Sequence, residues 1–225
     1  MGWTMKLKLF FTIITIVFLS ACSTREKIEA NIENPAGLYQ LAKVLAEDED
    51  YIEASEILND LRVRFPQSRY AAESELLLAG IEFDQENYLE AAALYGVFVE
   101  LYPRHKKADM ALYRQAESFF RNTPERVARD QASAVKAGQA AKQLIKKYPR
   151  SQYRSKARNI LAKSRFRLAQ KEAYIARWYE KKDKNSAARK RWKTLLEKYS
   201  DLKNAKDPEM DTLLQTAQER VRSLK

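Results

Sequence analysis

The chain has 225 residues, with 41 Lys or Arg against 30 Asp or Glu, one His and one Cys, and a formal charge of +11. Gly numbers only 5 and Pro 6 while 32% of residues are charged, which is a helical composition. A single thiol excludes any disulfide within the chain.

Lys6 and Lys8 precede an apolar run from Leu9 to Leu19, and the run ends in Leu19-Ser20-Ala21-Cys22. A basic start, a short apolar stretch and small residues before a cut mark a secretory signal. The run is shorter than the about 20 residues a membrane span requires. A cysteine directly after Leu-Ser-Ala resembles the bacterial lipobox, where the thiol is diacylated, the chain is cut before it and the new N-terminus is acylated. The expectation is a lipoprotein signal peptide over 1–21 and a mature chain beginning at Cys22, which carries the covalent lipid. Each buried CH₂ of such a lipid contributes about 0.8 kcal/mol to anchoring. No other cofactor is expected. Ser23, where enterobacterial sorting would read an Asp, points to the outer membrane.

Residues 22–33 read as a lipidated polar tether, and Asn34-Pro35 opens the first helix. The next signal is internal repetition. Three segments share an ending: Phe65-Pro66, Tyr102-Pro103 and Tyr148-Pro149; a fourth, Tyr199-Ser200, keeps the aromatic and loses the proline. Proline cannot continue a helix and pushes the residue before it out of the helical region. Twelve residues before each ending sit Ala54, Ala91, Ala137 and Ala188. Four residues on come Leu58, Tyr95, Ala141 and Trp192, and three further Leu61, Phe98, Leu144 and Leu195. A small residue followed by apolar ones at these spacings lies on one helix face. The pattern looks like the second helix of a tetratricopeptide repeat.

Helix pairs are therefore expected at 35–47 with 51–64, 68–85 with 88–101, 105–121 with 130–147 and 152–181 with 185–199, then a last helix at 208–223. The fold class is all-α, a tetratricopeptide-like solenoid of about five helix pairs with the last reduced. The turns Glu47-Asp48-Glu49-Asp50 and Gln85-Glu86-Asn87 lack the glycine usual there, and the third repeat carries an extra segment from Asn122 to Ala128.

Charge is distributed unevenly. Cys22 to Pro103 holds 6 basic against 17 acidic residues, and Arg104 to Lys225 holds 33 against 13. The division suggested is N-terminal repeats 1–2 over 34–104 and basic repeats 3–5 over 105–225. Either the helix surface drifts in sign or the two halves face different partners. Nucleic acid, the usual partner of a basic face, is not expected outside the cytoplasm; acidic protein surfaces and anionic headgroups are. No catalytic constellation is present, so an enzyme is not expected. His105 reads as a solvated turn residue, the run Glu47–Asp50 lacks the spacing of a calcium loop, no Gly-rich phosphate loop occurs, and no metal site is expected.

Several stretches carry a family resemblance: Asn34-Pro35-Ala36-Gly37-Leu38-Tyr39, Tyr88-Leu89-Glu90-Ala91, and above all Arg129-Asp130-Gln131 followed by a helix and Tyr148-Pro149-Arg150-Ser151-Gln152-Tyr153. With the lipobox they resemble the BamD (YfiO, ComL) family, lipoproteins of the outer-membrane β-barrel assembly machine. The resemblance covers nearly all of the mature chain and is weakest after Asp201. It implies a non-enzymatic scaffold anchored to the outer membrane and facing the periplasm. Its C-terminal repeats would dock on the POTRA domains of the central barrel protein, and its N-terminal repeats would receive unfolded outer-membrane proteins; other assembly-machine lipoproteins could join. Arg191, with its neighbours Arg189 and Lys190, aligns with the family's basic position on the POTRA side. For client binding the candidates are Tyr39 and Tyr70, aromatic anchors suited to extended peptides, with packing in the repeat core as the alternative. Tyr88 reads as core, and Arg129 and Asp130 read equally as caps for the helix that follows. A lipid-anchored adaptor for envelope or cell-division enzymes is the other function class, and a protein that binds anionic membrane through its basic half is a third.

Overall fold

The computed structural model describes residues 33–204 and 207–224. Cys22, the leader over 1–21 and all but the last residue of the tether lie outside the described residues. The rest is helical: α1 (Pro35–Glu47), α2 (Tyr51–Arg64), α3 (Arg69–Asp84), α4 (Tyr88–Leu101), α5 (Ala108–Arg121), α6 (Ala132–Lys147), α7 (Arg154–Glu180), α8 (Asn185–Tyr199), a 3₁₀ turn (Ser200–Asn204) and α9 (Pro208–Ser223). This is the tetratricopeptide-like succession of helix pairs that the repeat implies, with a fifth repeat reduced to α9.

The twelve repeat positions are where the packing argument requires them. All are buried, with only Tyr95 retaining as much as 4% exposure. Alanine at the first position of each triplet removes side-chain bulk, so that the neighbouring helix can approach; the residues at +4 and +7, all larger except Ala141, then fill the seam.

Proline decides how each repeat closes. Phe65, Tyr102 and Tyr148, each before a proline, hold nearly one conformation, with φ −130, −125 and −124° and ψ 55, 54 and 68°. Their N–H groups still bond back to Leu61, Phe98 and Leu144, and their carbonyls accept from Ser68, His105 and Ser151. That turn consumes the residues after the proline, so α3, α5 and α7 begin one to three residues later than the sequence pattern suggests. In the fourth repeat Ser200 replaces proline and remains in the helical region, and the chain runs straight into the 3₁₀ turn.

The missing glycines have a conformational cost. Glu49, Glu86 and Asp183 hold φ of 64, 62 and 55°. Each sits at the left-handed position of a Schellman closure: the N–H of the following residue, Asp50, Asn87 or Lys184, reaches the carbonyl five residues back, on Leu45, Glu82 or Tyr179. A side chain there costs about 1–2 kcal/mol. Glu86→Gly is therefore expected to stabilise the protein by about 1 kcal/mol after glycine's entropic penalty, raising Tm by about 2–4 °C. A melting curve checks this, and an unchanged Tm would remove the strain argument.

The described residues divide into two compact units between Ile81 and Glu82. The first described unit holds α1, α2 and most of α3. In the second, α4 packs on α5, α5 on α6, α6 on α7, α7 on α8 and α8 on α9, with α5 also touching α7. The charge boundary at Arg104 falls between α4 and α5, two helices that pack together, so the sign of the surface changes within a unit.

The second unit also fastens its own C-terminus. Arg165 on α7 grips Asp201 through two bonds of 2.5 and 2.7 Å and donates to the Lys198 carbonyl at 2.7 Å. The guanidinium hydrogen bond holds the Asp201 carboxyl below its ordinary value of 3.8. A carboxylate whose pKa is lower in the folded state stabilises fully above its unfolded value, and that contribution is lost as pH falls through the folded value. Asp201 is exposed, which limits the pair to about 0.5 kcal/mol. Asp201→Asn should lower Tm by about 1–2 °C at pH 7, with the difference from the parent shrinking below pH about 3.8.

Candidate functional site

In the first unit, α1 contributes Tyr39 and the start of α3 contributes Tyr70. Their rings lie 5.5 Å apart at 37°. Both are half-buried against a small cluster of Leu38, Leu61 and Ala71, with Ile57 and Phe65 beside it. Ser68 positions Tyr70: its hydroxyl accepts the Tyr70 N–H at 3.2 Å in the proline turn. Arg69 then folds back, donating Nη2–H to Tyr70 Oη at 2.7 Å, with its guanidinium 4.8 Å from the ring centre. Burial, then the charge of Glu73 and the neighbouring Tyr70, pushes the Tyr39 hydroxyl above its ordinary value. Tyr39 thus stays a neutral donor. The pair has one apolar side in the repeat core and one polar edge turned outward, so both sequence readings describe part of the same residues. Arg69 was not among the sequence candidates. The signal available was its position, an arginine directly beside Tyr70 in the turn. Tyr88 packs edge-on against Phe83 at 5.3 Å, as a turn residue does.

On α8 the three basic candidates separate by role. Arg189 donates Nε–H to the Val221 carbonyl near the end of α9 at 3.0 Å. Arg191 reaches Glu172 on α7, Nη1 to Oε2, at 3.2 Å. Lys190 is exposed and borders, with Tyr179, Arg191 and Thr194, a depression of about 320 Å³. Two aromatic residues of α7 are also exposed, Tyr174 at 44% and Trp178 at 46%.

The other residues that drew attention are structural. His105 is half-buried rather than solvated: Nδ1 accepts the Lys107 N–H at 3.2 Å, and the ring meets Phe98 edge-on at 5.3 Å. It occupies the place that Ser68 and Ser151 hold in the other repeats, whose hydroxyls accept the N–H two residues on. Asp130 caps the next helix, accepting from the Ala132 N–H at 3.2 Å. The extra segment of the third repeat is clamped by α7. Arg167 donates to the Glu125 carbonyl at 2.9 Å, and Lys171 to the carbonyls of Ala128 and Arg129 at 2.6 and 3.2 Å. Buried Gln131 closes the loop from within, donating to the carbonyls of Arg126 and Arg129. Among the described residues no three His, Cys, Asp or Glu side chains converge to hold a metal ion.

Helix pairs closed by aromatic–proline turns define a tetratricopeptide-like helical-repeat protein. The match is specific beyond the class: the family model YfiO, an outer membrane lipoprotein, covers residues 32–220, and the chain belongs to this family. It is similar to the outer membrane protein assembly factor BamD of Pasteurella multocida (strain Pm70), 28% identical over 208 residues, 87% of this chain and 78% of that one. The BamD of Caulobacter vibrioides (strain ATCC 19089 / CIP 103742 / CB 15) is 30% identical over 147 residues, 65% of this chain and 48% of the relative. That of Neisseria meningitidis serogroup B (strain ATCC BAA-335 / MC58) is 27% identical over 209 residues, 86% and 78% of the two chains. Among solved structures, a thermophilic TPR protein of Thermus thermophilus overlays with a TM-score of 0.42 at 16% identity, covering 83% of this chain and 100% of that one.

Proposed function

We propose that this chain is a lipid-anchored periplasmic scaffold of the outer-membrane β-barrel assembly machine, without catalytic chemistry of its own. The observation that carries the reading is the family match across residues 32–220, together with relatives named as outer membrane protein assembly factors. The lipid sits on Cys22 and the chain faces the periplasm. The basic second unit meets the POTRA-bearing barrel protein through the surface around Lys190. The aromatic pair Tyr39 and Tyr70 receives unfolded outer-membrane proteins, with Arg69 fixing Tyr70 at its edge. Aromatic side chains held by a rigid scaffold supply contact area at low entropic cost, which suits extended clients.

The test is a mild-detergent pull-down from membranes with a C-terminal tag. The expected result is a near-stoichiometric β-barrel protein bearing POTRA domains. Recovery of peptidoglycan or division enzymes in its place would overturn this reading in favour of the adaptor. Lys190→Glu is the informative variant, because reversing Arg189 or Arg191 would also break their bonds to Val221 and Glu172. It is expected to reduce recovery of the barrel protein about tenfold at low salt, an effect of about 1.4 kcal/mol, with an unchanged melting curve. Undiminished recovery would remove Lys190 from the interface.

A further inference from the structure

The extra segment of the third repeat forms part of the wall of a groove. It lies between α5 and α7 and has a volume of about 610 Å³. Four cations border it: Arg121 at the end of α5, and Lys156, Lys163 and Arg167 along α7. Thr123 of the extra segment lines the same space, and Arg167 ties that segment down through the Glu125 carbonyl. The apolar part of the lining comes from Tyr113, Phe120 and Ile160.

The one carboxylate of the groove is already matched. Glu117 accepts from the Tyr113 hydroxyl at 2.9 Å and from Arg114 at 2.9 Å. The Tyr113 ring is fixed in turn by stacking on Tyr153, centroids 5.2 Å apart at 13°, with the Lys156 ammonium 5.7 Å from its centre. A rigid apolar lining is thus bordered by an excess of positive charge.

The spacing selects the shape of the ligand. Lys156, Lys163 and Arg167 fall at i, i+7 and i+11 on one helix face, so with a rise of 1.5 Å per residue the cationic row is about 17 Å long. A single phosphate reaches one end of such a row. An extended polypeptide advances about 3.3 Å per residue and alternates its side chains, so about five residues span it with acidic side chains toward the cations and an apolar one toward the lining. We propose that this groove binds an acidic, extended polypeptide segment carrying an aromatic or aliphatic residue. It is a second peptide site, in the basic unit and built from residues other than the Tyr39–Tyr70 pair.

The experiment uses the detergent-solubilised full-length lipoprotein and two fluorescein-labelled seven-residue peptides, one alternating Glu and Phe, the other Lys and Phe, read by fluorescence anisotropy. No partner protein is present, so the outcome does not depend on which machine the chain serves. The acidic peptide is expected to bind at least about tenfold tighter than the basic one, and to weaken as salt rises. Lys156→Glu with Lys163→Glu should reduce its affinity at least about tenfold. Both lysines are exposed, and the milder Lys163→Gln, expected to cost about threefold, guards against misfolding in the double variant. Lys43→Glu, an exposed position on α1 outside the groove, should leave the affinity unchanged. Equal binding of the two peptides, or unchanged affinity in both lysine variants, would overturn the proposal. So would competition by monomeric dihexanoylphosphatidylglycerol at lower concentration than unlabelled acidic peptide, which would identify a lipid-headgroup site. Equal weakening by Lys43→Glu would overturn the proposal as well, since the peptide would then be responding to overall charge and not to this groove.

Discussion

Trp192→Ala is expected to cost about 3–5 kcal/mol and to lower Tm by about 10 °C or more. Trp192 is fully buried in a cluster with Ala169, Ala173 and Ala176 of α7, Leu195 of its own helix, Leu202 of the 3₁₀ turn, and Met210, Leu213, Leu214 and Ala217 of α9. Three alanines on α7 leave a space that only a large side chain fills, and the same side chain joins the last three elements of the chain. The indole also carries a polar role, donating Nε1–H to Glu180 Oε1 at 2.6 Å, while Arg220 stands 3.9 Å from the other oxygen of that carboxylate. Trp192→Phe separates the two contributions: it keeps most of the volume and loses the donor, and about 1–2 kcal/mol is expected. Urea unfolding of the three proteins measures both. If alanine were no worse than phenylalanine, cavity formation would not be the cause. Hydrogen exchange should show α8 and α9 losing protection first in the alanine variant.

The second large effect is in the other unit. The Glu75 side chain retains 6% exposure, and one of its oxygens accepts from Arg62 at 2.5 Å. Its other oxygen, Oε2, has no hydrogen-bond partner among the described residues. A single guanidinium, itself one-third exposed, therefore compensates a buried carboxylate. Arg62→Ala removes that compensation, and about 3 kcal/mol of destabilisation is expected. Replacing both residues, Arg62→Met with Glu75→Leu, should return stability to within about 1 kcal/mol of the parent, because a well-packed apolar pair does not incur the desolvation of the ion pair. Denaturant unfolding of the single and double variants closes the cycle. An Arg62→Ala protein as stable as the parent would mean that water reaches Glu75.

The contrast between these two sites explains how much the sequence revealed. Trp192 was legible because it recurs in register with Leu58, Tyr95 and Ala141, and periodicity alone fixes which face of a second helix is buried. The proline turns were legible for a similar reason, since proline acts on the backbone locally and the same way each time. Glu75 was not legible. Helix α3 is apolar around much of its circumference and buries Ser74 and Glu75 together with Leu76, Leu78 and Ala79. Its pattern therefore leaves no polar stripe from which to infer exposure, and Arg62 lies thirteen residues away on another helix. The candidate site divides the same way. Tyr39 and Tyr70 could be named because an aromatic side chain is itself a candidate anchor for an extended peptide, and the structure brings them into contact. The intrachain bonds of Arg189 and Arg191 could not be foreseen, since a run of three basic residues is silent about which side chains turn back to α9 and α7. His105 was misjudged because its ring nitrogen takes the part of a serine hydroxyl, a substitution visible only when the three turns are compared in space.

The hold of α7 on the extra segment of the third repeat has an evolutionary consequence. Arg167 and Lys171 grasp peptide oxygens of Glu125, Ala128 and Arg129, and Gln131 grasps those of Arg126 and Arg129. A peptide oxygen is common to all twenty residue types. The anchoring therefore constrains Arg167, Lys171 and Gln131 but leaves the side chains from 125 to 128 open to drift. Lineages can rewrite that stretch to suit a new ligand without re-inventing its placement, and in a set of close relatives variation should concentrate there while the three anchors stay constant.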